Sequence, residues 1–133
     1  MKSKRKKIKK ISAKSLHNKI WPLCKKIIRN RYGNKCFTCT QTNLSGPNWH
    51  TGHFLPKSTC GAYLKYDLRN LRPQCYNCNI NLGGNGAMFF LKLVEQNGQD
   101  YVDEIFADRL RVCKLQTRIE ELLPEYQKLA KEL

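Results

Sequence analysis

Two Cys-x-x-Cys pairs, Cys36–Cys39 and Cys75–Cys78, constrain this chain more than any other feature. Between them stand 35 residues (40–74), among them His53 in the run Trp49-His50-Thr51-Gly52-His53-Phe54, and Asn79 directly follows the last cysteine. Four thiolates can hold a tetrahedral zinc that takes no part in chemistry. The gap is longer than in an ordinary zinc ribbon and long enough for a β-hairpin. Zinc would tie the two ends of that insert together, so its loss should unfold the domain. Inside the insert lie imidazole and amide groups. An unperturbed histidine titrates near neutral pH and can take a proton from water, while an asparagine oxygen suits a hard ion such as Mg²⁺ or Mn²⁺.

Seven cysteines in 133 residues could instead form a disulfide scaffold. The basic start, Met1 to Lys10, leads into no apolar run of signal-peptide length, and no stretch is apolar enough to span a membrane. Reduced thiols in a cytoplasmic protein are therefore expected, and paired spacing then means metal. Cys24, Cys60 and Cys113 stand outside the pairs and are expected to be small buried thiols.

The net charge of +15 is unevenly spread. Residues 1–66 hold 16 Lys or Arg and no acid, whereas residues 67–133 hold 9 basic and 10 acidic residues. Segregation of this kind points to a polyanionic partner, with nucleic acid the commonest. A solubilising tail is the bland alternative.

Length and pattern predict a single α+β domain over residues 15–133, preceded by a basic, disordered arm over residues 1–14. A helix is expected over Trp21–Tyr32, with Pro22 in its first turn and Gly33-Asn34 as its stop. Strands are expected over Asn48–Leu55 and Leu64–Leu71. Helices follow over Ala87–Gln96, Asp100–Leu110 and Lys114–Leu133, the last kinked or restarted at Pro124. Lys57, Lys65, Arg69 and Arg72 flank the proposed site in sequence and could hold phosphates.

The order Cys-x-x-Cys, Gly-His, Asn-Leu-x-x-x-Cys-x-x-Cys-Asn resembles the HNH (ββα-metal, His-Me finger) endonucleases. More closely, Thr51-Gly52-His53-Phe54, Tyr66-Asp67-Leu68-Arg69-Asn70, Gln74-Cys75-Tyr76-Asn77-Cys78-Asn79 and Asn97-Gly98-Gln99-Asp100-Tyr101 look like the NinG family of phage recombination proteins. The likeness covers about residues 20–130. It implies a zinc-stapled ββα-metal core with additional packed helices, and a metal-dependent endonuclease acting on branched recombination DNA, such as Holliday junctions or D-loops, in the host-cell cytoplasm. A homodimer would suit paired cuts on a junction. His53 matches the general base. Asn79 matches a ligand of the catalytic divalent ion, and Asn70 the residue that steadies the loop and orients the base. Cys36, Cys39, Cys75 and Cys78 match the structural zinc. One departure stands out: many HNH enzymes carry an acidic ligand immediately before the base, and here that residue is Gly52. His50 could substitute as a ligand, or it could be a hydrogen-bonded hairpin residue. A non-catalytic zinc module that binds DNA or RNA is the alternative function.

Overall fold

The computed structural model describes residues 10–133. Part of the expected basic arm, residues 1–9, therefore lies outside the described residues. Helix α1 spans Ala13–Tyr32, eight residues longer at its start than the sequence pattern predicts. Ser12 explains the early start: its side-chain oxygen accepts from the Ser15 amide at 3.2 Å and caps the helix. Ala13 and Lys14 thus belong to the folded domain. Pro22 is inside α1 rather than in its first turn, on the exposed side of the helix, where the carbonyl that it leaves unbonded can meet water.

Strand β1, His50–His53, pairs antiparallel with β2, Leu71–Gln74, with His53 opposite Leu71 and Gly52 opposite Arg72. The second strand therefore starts where the sequence pattern ends it. Residues 64–70 are instead taken by the short helix α2, Gly61–Leu64, and a 3-10 turn over Leu68–Asn70. Asp67 forces that turn, because its carboxylate accepts from the Arg69 amide and is gripped by Arg118. After β2 the chain makes one wide turn, Asn77–Asn81, in which the Leu82 amide reaches back five residues to the Asn77 carbonyl. Helices α3 (Gly86–Asn97), α4 (Gln99–Asp108) and α5 (Leu115–Lys131) complete the fold. Helix α5 runs unbroken through Pro124, which faces solvent.

Mixed helix with one two-stranded sheet makes this an α+β domain. Leu16, Ile20, Ile27 and Ile28 of α1 pack on Ile119, Leu122 and Tyr126 of α5, with Leu71 beneath them. A second core joins Phe54, Leu64, Phe89, Leu93, Val102 and Ile105, so α2, α3 and α4 brace the far side of the hairpin. Both faces of β2 are consequently covered, and all four of its residues are buried. No helix among the described residues is long and apolar enough to cross a membrane.

Candidate active site and metal centre

The four paired cysteines come together from the two ends of the hairpin. Their sulfur atoms all lie within 4.8 Å of one another, and Cys39 and Cys75 Sγ are 3.7 Å apart. A tetrahedron of 2.3 Å zinc–sulfur bonds has edges of about 3.8 Å, so the set fits zinc. Amide donors surround it: Gln41 N–H reaches Cys39 Sγ and Cys78 N–H reaches Cys75 Sγ, each at 3.4 Å, and the Asn85 side chain reaches Cys78 Sγ at 3.7 Å. Such donors offset the charge that accumulates on thiolates around one cation. Cys24 and Cys60 are buried elsewhere, and Cys113 is half-buried.

His53 closes β1, with its ring on the wall of a cleft of about 530 Å³. Its Nε2 lies 2.8 Å from the Lys65 carbonyl. A carbonyl only accepts, so Nε2 carries the proton and Nδ1 keeps its lone pair, with no partner among the described residues. Trp21 of α1 lies flat on the ring, with centroids 5.5 Å apart and planes within 4°. Burial pushes the His53 pKa down to about 4; the Lys65 carbonyl works against this, and the Lys57 and Lys65 charges and His17 add to it. At neutral pH His53 is therefore an uncharged, oriented base.

Asn70 holds this arrangement from behind. It is fully buried, accepts from the Leu55 amide at 2.8 Å and donates to the carbonyls of Leu55 and Leu64 at 3.1 and 3.4 Å. Those bonds tie the start of the loop after β1 to its end, one residue before the carbonyl that fixes His53.

His50 also lines the cleft, facing Asn79. Its Nε2 donates to the Pro47 carbonyl at 2.8 Å, which leaves Nδ1 as an acceptor for the Asn79 side-chain amide at 2.9 Å. Asn79 Oδ1 then makes no hydrogen bond among the described residues. That contact joins Nδ1 to the amide nitrogen, so the hydrogen bond takes the lone pair that His50 would offer a metal; with the Asn79 amide turned over, Oδ1 would stand beside Nδ1 at roughly the 3 Å edge of an octahedron of 2.0–2.1 Å bonds. No carboxylate lines the cleft. Gly52 shows why: a Cβ there would run into the Gln74 side-chain carbonyl. Gln74 is pinned in place by bonds from its Nε2 to Thr38 Oγ1 (2.9 Å) and the Gly84 carbonyl (2.8 Å). An acid before His53 has no room in this packing.

The four basic residues flanking the site in sequence separate in space. Lys57 lines the cleft, with Nζ 5.6 Å from the Trp21 ring centre. Lys65 contributes its carbonyl, while its ammonium lies over Tyr66. Arg69 and Arg72 correct the sequence expectation. Arg69 is bound to Asp67 and Asp108 at 2.8 and 2.7 Å. Arg72 is fully buried, donates to the carbonyls of Leu68, Arg69 and Leu71 and to Gln96, Asn97 and Tyr101, and stacks on Tyr32. The Arg72 guanidinium is sealed from solvent, and that of Arg69, still partly exposed, is taken up by two carboxylates. Sequence reasoning missed Trp21, which is 32 positions from the ring it covers, and Lys25, which borders the same cleft. It also missed Thr51, whose buried hydroxyl lines the cleft without a protein partner. Its place two residues before His53 on a strand was the available signal, since i and i+2 share a face.

The family model described as Bacteriophage Lambda NinG protein matches residues 1–133. The chain belongs to the NinG family. "Protein ninG" of Salmonella phage P22 is 32% identical over 99 residues, which is 74% of this chain and 47% of that NinG protein. "Protein ninG" of Escherichia phage lambda is 30% identical over 99 residues, with the same shares. The NinG protein of Enterobacteria phage H19B is 35% identical over 69 residues, 51% of this chain and 33% of its own. The chain thus spans about half the length of the curated NinG relatives it matches first. No solved structure matches it.

Proposed function

We propose that this chain is a metal-dependent endonuclease of the HNH type, hydrolysing phosphodiester bonds in DNA, with a structural zinc on Cys36, Cys39, Cys75 and Cys78. The observation that carries the proposal is the state of His53. A backbone carbonyl fixes one ring nitrogen, burial keeps the other unprotonated, and that ring shares its cleft with the His50–Asn79 pair. A general base needs an orienting partner, a free lone pair and a place for its substrate, and His53 has all three.

In this mechanism His53 Nδ1 takes a proton from the attacking water, and the Lys65 carbonyl bears on the imidazolium that forms. The low pKa keeps His53 in its base form, and a phosphate anion entering between His53 and Lys57 would raise it toward neutrality. With the Asn79 amide turned over and its hydrogen bond to His50 released, Asn79 Oδ1 and His50 Nδ1 would hold a divalent ion such as Mg²⁺ or Mn²⁺, which would supply positive charge for the phosphate and the departing 3′ oxygen. With only neutral protein ligands, water and the substrate phosphate would complete its shell. Asn70 acts through the loop as a positioning residue. Membership of the NinG family supports branched recombination DNA as the substrate, in the cytoplasm of a phage-infected cell.

The test is cleavage of a labelled four-way junction and a matched linear duplex, in Mg²⁺ or Mn²⁺, by wild type and His53→Ala. Metal-dependent junction cutting that disappears in the variant supports the proposal, and the duplex reports structure preference. Binding without cutting in either metal would leave a zinc-stapled nucleic-acid-binding module.

A further inference from the structure

The sequence expectation placed the phosphate contacts on four residues beside the site, and two of those guanidiniums are spent inside the protein. The excess positive charge of the first half of the chain is displayed elsewhere. Helix α1 carries Lys14, Lys19, Lys25, Lys26, Arg29 and Arg31, all exposed, and no acid. At 100° per residue, Lys14, Trp21, Lys25 and Arg29 fall within an arc of about 80°, and the stripe is about 22 Å long. None of the ion pairs among the described residues involves α1.

This stripe borders two hollows. One is the His53 cleft. The other, of about 660 Å³, is lined by Lys25, Lys26, Arg29 and Asn30 of α1 together with Trp49, Gly46 and Leu133. Lys25 and Trp49 line both, so the two hollows are contiguous across a single saddle. No Asp or Glu side chain lines either one. Arg29 sits 4.4 Å over the Trp49 ring and bonds to the Asn34 side-chain oxygen at 3.2 Å, so its guanidinium is held in place, and it makes no ion pair among the described residues. A third hollow, around Lys35 and Lys92, contrasts with these two. Glu95 lines it, and Lys92 is paired to that carboxylate at 3.7 Å.

We propose that the Lys25–Lys26–Arg29 hollow is a phosphate-backbone subsite, from which one nucleic-acid strand crosses the Lys25–Trp49 saddle into the His53 cleft. It rests on the nuclease reading only for the direction of the strand; the subsite itself requires nucleic-acid binding alone. Lys14 extends the track along α1. Lys25 touches the strand on both sides of the saddle. Recognition of this kind follows the phosphates and carries no base code.

The experiment is binding of a labelled four-way junction by the zinc-loaded chain without added Mg²⁺ or Mn²⁺, at several salt concentrations. The variants are Lys25→Gln/Lys26→Gln/Arg29→Gln, the single Lys25→Glu, and Lys92→Gln as the control. Each phosphate contact contributes about 0.9 to the slope of log affinity against log salt. The triple variant should therefore lose between two and three from that slope and bind roughly a hundredfold more weakly at 0.1 M salt, while Lys92→Gln should match wild type. Melting and zinc content verify the fold, and Lys25→Glu repeats the test with one exposed residue if the triple variant is unstable. Unchanged slopes in both α1 variants would overturn the proposal. So would wild type that binds no nucleic acid but binds anionic lipid vesicles. Slope loss in a chain that never cuts DNA in any metal would sink the nuclease reading and leave the subsite standing.

Discussion

Replacing Arg72 by Met separates its buried role from the phosphate contact that its sequence position suggests. Arg72 carries no carboxylate partner. Its charge is met by three main-chain carbonyls, three side chains and the rings of Tyr32, Phe37 and Tyr101. Met fills much of the stem but donates nothing, so the carbonyls of Leu68, Arg69 and Leu71 lose their guanidinium donor. A buried polar group left without its partner costs about 1–3 kcal/mol. Tyr101 still reaches the Arg69 carbonyl at 3.5 Å and the Leu71 amide still donates to the Leu68 carbonyl, which leaves the Leu71 carbonyl fully exposed to the loss and the other two partly relieved. The expected destabilisation is about 3 kcal/mol, a large part of the roughly 5–15 kcal/mol that holds a domain together. Urea unfolding of the zinc-loaded chain measures it through the midpoint. In any fraction that stays folded, the salt slope of DNA binding should equal that of wild type. A variant of near wild-type stability whose salt slope drops by about one would refute the reasoning and return Arg72 to the DNA.

Other outcomes follow from the same geometry. His53 has a folded pKa of about 4 against an unfolded value of 6.5, so the unfolded chain takes up its proton first as pH falls. Its contribution is present above pH 6.5 and is lost by about pH 4, amounting to about 3 kcal/mol. His53→Asn should flatten that limb of the stability–pH curve, and identical acid limbs in both proteins would contradict the assigned burial. Gly52→Ala should cost about 2–3 kcal/mol by overpacking and by displacing the Gln74 amide from Thr38 and Gly84; a melting curve like that of wild type would show that Gln74 has somewhere else to go. Chelation, or Cys36→Ser, should remove one zinc per chain and the cooperative melting transition together, as metal analysis and calorimetry on the same sample would report.

The cysteine framework was legible because its information is local: two short spacings and the chemistry of thiols. His53, Asn70 and Asn79 were singled out by the resemblance to HNH endonucleases, and the hairpin closed by that framework puts His53 and Asn79 on one cleft with Asn70 behind it. The second strand was misplaced because Leu64–Leu71 alternates in a strand-like way, and only the tertiary grip on Asp67 turns it into a helical corner. Arg72 follows the same logic in reverse. Its neighbours in sequence border the site, but β2 is covered on both faces, and no composition signal reveals that a strand flanking a cleft lies inside the core. The Trp21–His53 stack could not be read at all, because it depends on how α1 crosses the hairpin.

Cys78 and Asn79 are consecutive residues on the wide turn after β2. One points its sulfur into the thiol cluster and the next meets His50 at the cleft, so two environments of opposite chemical hardness are separated by a single peptide unit, about 3.8 Å from Cα to Cα. The thiol cluster therefore serves as a gauge block for the cleft. A change in the length of its metal–sulfur bonds, from zinc to the larger cadmium ion for instance, would reach Asn79 with almost no intervening chain to absorb it. In the proposed nuclease, the choice of soft metal would then set the spacing between His50 and Asn79.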